Sequence, residues 1–156
     1  MVKVLYKLFL ALMIALFVGF GISVFYTSPK APNYPIELQS KSPDSFTAEQ
    51  NKVNDEYNQQ QKVYQDQFPS YSRNVSAIAI GVSIILLILG LTFLIGIGII
   101  GDGVLFGGLF TLVYGIIRGF MSEDSKYQFI VVTIGLIIAL ALGYIKFIAP
   151  EKRKNK

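Results

Sequence analysis

Residues 77–117 are 41 consecutive positions with a single charged side chain, Asp102. A helix that crosses a bilayer uses about 20 mainly apolar residues, each rising about 1.5 Å. As one helix the run would reach about 60 Å, twice the hydrocarbon thickness of about 30 Å. It therefore reads as two spans, 77–100 and 104–121, joined at Gly101-Asp102-Gly103. Two glycines permit a left-handed turn there, and Asp suits the N-cap of the helix that follows.

Two further apolar blocks have spanning length. Residues 8–26 contain Ser23 as their only plainly polar member, and 128–149 carry Lys146 one turn before their end. Charged residues make up 15% of the chain, against about 25% in a soluble domain. The expected fold is an all-α integral membrane protein, a four-transmembrane-helix bundle with a helical extracytoplasmic insertion between helices 1 and 2. Residues 122–127 form a short outer loop, and 150–156 a basic tail. The first block could also be read as a signal peptide, because Lys3 and Lys7 give it a charged start. Its apolar stretch exceeds the roughly 7–15 residues of such signals. The small-residue site Gly21-Ile22-Ser23 also lies inside the run rather than after it. An uncleaved anchor is the reading adopted.

Four spans put both termini on one side. Lysine and arginine counts tie between the two sides, so position decides. Lys3 and Lys7 precede the first span closely, and Lys152, Arg153, Lys154 and Lys156 crowd the tail. Basic residues near span ends mark the cytoplasmic face, which makes 1–7 and 150–156 cytoplasmic and 27–73 external. Tyr6, Tyr26, Tyr71, Tyr127 and Tyr144 fall near span ends, as an aromatic belt requires. Plentiful Lys, Ile, Asn, Phe and Tyr with three Arg suggest an AT-rich genome, and the layout suits a bacterial plasma membrane.

The external segment is a different kind of chain, with none of the glycines and five of the six prolines. Its first part, 27–46, with Pro29, Pro32, Pro35 and Pro43, is expected to be extended. Residues 47–68 read as a helix that opens on the capping-box spacing of Thr47 and Gln50 and stops at Pro69. Phe46, Val53, Tyr57, Tyr64 and Phe68 fall on one narrow stripe of it, a surface for a partner. That partner could be another copy, another envelope protein or the membrane surface. Five basic and six acidic residues leave the segment near neutral, which argues against nucleic acid.

Small residues recur every four positions. The third span has Gly103, Gly107, Thr111, Gly115 and Gly119; the first has Ala11, Ala15, Gly19 and Ser23; the fourth has Gly135, Ala139 and Gly143. Such ladders let helix backbones approach closely. Whether the ladders meet other spans or other copies stays open at this point.

Few residues carry chemistry. With no His, Cys or Trp, thiol and imidazole chemistry and Cys-ligated metals are excluded. No Walker loop, dinucleotide fingerprint or zinc motif occurs, so no catalytic, metal or cofactor site is assigned. Asp102 is a helix cap or, as an intramembrane carboxylate, a site of ion movement. On the expected topology it could pair with Lys146. Arg118 is an interfacial ion-pair member, with Glu123 or Asp124, or a snorkelling anchor. The basic tail could hold anionic lipid. Asn74-Val75-Ser76 matches a glycosylation sequon but abuts the second span, so it reads as chance. The leading functional class is a non-enzymatic membrane protein acting through contacts. An oligomeric transporter, channel or export component using Asp102 comes second, and a membrane-embedded enzyme third.

Overall fold

The computed structural model describes residues 1–40, 42, 45–92 and 98–145. Its main elements are α1 (Val2–Phe25), α2 (Ala48–Thr92), α3 (Ile99–Phe120) and α4 (Ser125–Gly143), with a 3-10 turn at Ile36–Leu38. Among the described residues, four helices are long and apolar enough to cross a membrane. Lys146 and the tail 150–156 lie outside the described residues, as do 93–97 between α2 and α3.

α2 corrects the expected boundary at Pro69. It is a single helix of 45 residues that passes through the proline, so the separate helices expected at 47–68 and 77–100 are continuous. Its start is as read: the Thr47 N–H donates to Gln50 Oε1 (3.1 Å) and the Gln50 N–H donates to Thr47 Oγ1 (3.3 Å). Pro69 has no N–H to offer the Gln65 carbonyl, a defect that costs about 3 kcal/mol in a helix interior. Packing just beyond it offsets that cost. Tyr71, Val75 and Ala79 are buried with Ile22 of α1, and Phe68, Val18, Tyr26 and Tyr114 close around them.

The expected turn at 101–103 is also corrected. α3 begins at Ile99, its N-cap is Gly98, and no side chain caps it. Gly98 has φ +34°, on the positive side that L side chains rarely adopt and that glycine tolerates. The Asp102 N–H donates to the Gly98 carbonyl, so Asp102 already lies in the first turn of α3 and is not its cap. Gly101 and Gly103 are buried helical positions. A Cβ on Gly103 would run into the Leu10 side chain of α1, so that glycine serves helix packing and not chain reversal.

The close contacts fix the arrangement. Leu10 lies against Gly103, Ile14 against Gly107 and Tyr114 against Gly19, so α1 and α3 run parallel. Gly90 lies against Leu105, Leu87 against Gly108, Ile80 against Gly115 and Ser76 against Gly119. In each of these pairs one residue number falls as the other rises by the same amount, the signature of two antiparallel helices in constant register. Val131 against Gly119 and Ile116 against Gly135 make α4 antiparallel to α3 as well. α3 is thus the central helix, touched by the other three.

The α3 ladder explains how one helix serves several neighbours. Four residues turn about 400°, so each step drifts about 40° around the helix. Gly103 and Gly107 therefore meet α1, whereas Gly115 and Gly119 have rotated onto α2, and Gly119 also onto α4. All five ladder positions are buried. The other ladders are used less fully. On α1, Ala11 is fully buried and Ala15 and Gly19 are half-buried, but Ser23 is exposed and donates to its own helix at Phe20. Of the α4 ladder positions only Gly135 is buried; Ala139 is exposed, and no described residue lies within 4 Å of where a Gly143 Cβ would stand.

Candidate functional site

At the end of the helix cluster that holds the start of α1, Lys7 and Asp102 form an ion pair of 2.5 Å. The parallel register of α1 and α3 brings them together, Lys7 one turn before Leu10 and Asp102 next to the Gly103 that Leu10 touches. Their side chains are 26% and 32% exposed, so the pair is neither dry nor fully solvated. It is the only ion pair among the described residues. Asp102 is thus held by α1, and the Lys146 partner expected from topology lies outside the described residues. Beside the pair is a cavity of about 520 Å³, with α3 on one side and the last turns of α4 on the other.

The opposite end is knitted by aromatics. Tyr26 and Tyr71 stack with centroids 5.2 Å apart and planes 2° from parallel. Tyr71 Oη donates to the Tyr26 carbonyl (3.4 Å), and Asn74 Nδ2 donates to Tyr26 Oη (2.7 Å). The Arg118 guanidinium lies 5.7 Å from the ring centroids of both Tyr71 and Tyr114, and its Nε donates to Tyr114 Oη (3.3 Å). Such cation–π contacts contribute about 0.5–2 kcal/mol depending on desolvation. The expected ion pair with Glu123 or Asp124 does not form. Asp124 is instead the N-cap of α4, its carboxylate accepting from the N–H groups of Lys126 and Tyr127, and Glu123 sits at φ 56° in the preceding turn. The sequon residues are likewise engaged: Asn74 at Tyr26, and Ser76 buried and donating to the Gly115 carbonyl (2.7 Å).

The polar half of α2 extends beyond this aromatic end. Its stripe of Phe46, Val53, Tyr57, Tyr64 and Phe68 is half-buried rather than open. Tyr34, from the proline-rich segment, meets Tyr57 edge to face at 5.2 Å, and Tyr64 packs on Phe68. Leu38 is 1% exposed, and Pro29 and Pro32 form a groove with Tyr64 and Val63. The segment after α1 therefore folds back as a strap along α2 and takes up much of the surface read as a partner site. The opposite face, with Asn51, Asn58 and Lys62, is exposed.

A further buried seam lies on α2, outside the four-residue ladders. Ser72, Ser76, Ala79, Ser83, Leu87 and Gly90 are all buried, in the three- and four-residue steps that keep residues on one helix face. Ser76, Ser83 and Gly90 recur every seven residues, a signal that a search for four-residue spacing passes over. Among the described residues, no group of three or more acids, histidines or cysteines gathers as a metal site. Comparison with protein families, curated proteins and solved structures finds no match for the chain.

Proposed function

We propose that the chain is an integral membrane protein with four spans, both termini cytoplasmic and residues 27–73 outside, in a bacterial plasma membrane. It works through contacts and not catalysis. On this reading the polar half of α2 is a strapped stalk, held rigidly on the membrane part of the molecule and recognised by another protein or a second copy. The observation that carries it is the continuity of α2 from Ala48 to Thr92 through Pro69. A helix about 68 Å long, roughly twice a hydrocarbon core, transmits position from outside to the packed α3 face. The exposed polar face at Asn51, Asn58 and Lys62, rather than the aromatic stripe, is its contact surface.

Single cysteines at Asn51 and Asn58 give unique handles in a chain that has no cysteine. Cross-linking in native membranes is expected to give the same protein from both positions. Leu38→Asp, which loosens the strap, should abolish both products. Different products from the two sites, or products indifferent to the strap, would overturn the stalk reading. Transport through Asp102 is placed second because its carboxylate is engaged by Lys7. Ion flux in proteoliposomes that vanishes in Asp102→Asn would reverse that order.

A further inference from the structure

The cavity beside Lys7 and Asp102 lies mainly between α3 and α4, with Leu91 of α2 also in its lining. α4 is tight against α3 in its first half, where Val131 and Gly135 are buried at Gly119 and Ile116. Toward its end the contact is lost: Ala139 and Gly143 line the cavity, and a Cβ on Gly143 would meet nothing. Leu105 and Leu109 of α3 and Leu142 of α4 form apolar walls, and the ion pair stands at one end.

An apolar space of this size, left empty, would forfeit the dispersion contacts of every atom lining it. Water does not suit it, since a buried water needs 2–4 polar partners and only the ion pair supplies them. Hydrocarbon does. The charge beside it selects a headgroup. Lys3 lies one turn from Lys7, so two lysines stand at this end of α1 against the one carboxylate of Asp102. The Lys7 ammonium has three N–H donors and therefore has capacity beyond its bond to Asp102.

We propose that this cavity binds one anionic glycerophospholipid, with an acyl chain between α3 and α4 and its phosphate on the Lys7 ammonium. The site rests on the membrane reading given above. Its small residues, Ala139 and Gly143, hold the space open for a lipid chain instead of packing against another helix.

The chain has no tryptophan, so Phe106→Trp, at the cavity, and Ile137→Trp, on an exposed part of α4, are separate fluorescent reporters. Each is reconstituted in phosphatidylcholine vesicles containing phosphatidylglycerol, with bromine on the acyl chains of one lipid or the other. Brominated phosphatidylglycerol should quench the Phe106→Trp reporter with roughly five-fold preference over its bulk fraction, the contribution of one lysine near anionic lipid. The Ile137→Trp reporter should show no preference. Lys7→Gln, and the charge-balanced Lys7→Gln/Asp102→Asn double variant, should remove the preference while quenching persists. Ala139→Leu with Gly143→Leu should fill the space and lower quenching of the Phe106→Trp reporter below that of the Ile137→Trp reporter. Equal quenching by the two lipids at Phe106→Trp would overturn the phosphate assignment. A reporter there shielded from both lipids would show the cavity closed by protein, a second copy included, and would overturn the site. If neither reporter is quenched by any brominated lipid, the membrane reading itself fails, and the site with it.

Discussion

Gly90 and Gly81 belong to the same helix and differ in what surrounds them, which isolates the effect of close packing. A Cβ on Gly90 would stand 3.0 Å from the Leu105 backbone nitrogen and 3.1 Å from its Cα. Because the obstacle is backbone, no side-chain rotation relieves it, and α2 and α3 must separate. A relaxed carbon contact lies at about 3.5–4.0 Å, so the helices move apart by roughly 0.5–1 Å, which forfeits a quarter to a half of each neighbouring dispersion contact. Overpacking of this kind costs about 1–3 kcal/mol. Gly81 is exposed with nothing within 4 Å of a Cβ, so alanine there meets no obstacle and gains helix propensity of up to about 1 kcal/mol. The assay is unfolding of the reconstituted protein, read by loss of helical circular dichroism. Gly90→Ala should unfold more readily than the parent and Gly81→Ala no more readily. Equal stability of the two variants would refute the register in which Gly90 faces Leu105.

Ser72 and Ser76 provide a second paired test. The Ser72 hydroxyl is buried with no hydrogen-bond partner among the described residues, whereas Ser76 bonds across to the Gly115 carbonyl. Ser72→Ala should therefore be neutral or stabilising, and Ser76→Ala should cost about 0.6 kcal/mol, the average for such interhelical bonds; the same unfolding assay checks both. The Lys7–Asp102 pair is partly buried, so a double-mutant cycle with Lys7→Gln and Asp102→Asn should give a coupling of about 1–2 kcal/mol, between the exposed and buried limits. Additive single effects would remove the pair from the account. Pro69→Ala restores a donor for the Gln65 carbonyl and should stabilise α2 by about 1–3 kcal/mol in chemical denaturation. A destabilised variant would mean that the proline sets a bend that the α1 contact requires.

The apolar blocks, their number and the proline-rich character of 27–46 were legible in the sequence because hydropathy and proline content act on the residues that carry them. The Thr47–Gln50 capping box was legible for the same reason, since its partners are three residues apart. The α3 ladder was visible as a pattern, but not its partners. Only tertiary structure decided that Gly103 meets Leu10 while Gly115 meets Ile80, because those contacts depend on how three helix axes are placed together. The same placement moved Asp102 from a cap to an ion pair with Lys7, carried α2 through Pro69, and covered the aromatic stripe with the chain's own strap. Local propensity favours a break at a proline by about 3 kcal/mol, yet α2 continues through Pro69 into the part that packs on α1 and α3. Composition therefore set which segments are apolar enough to cross a membrane, and the packing of distant residues set where helices begin, end and pair.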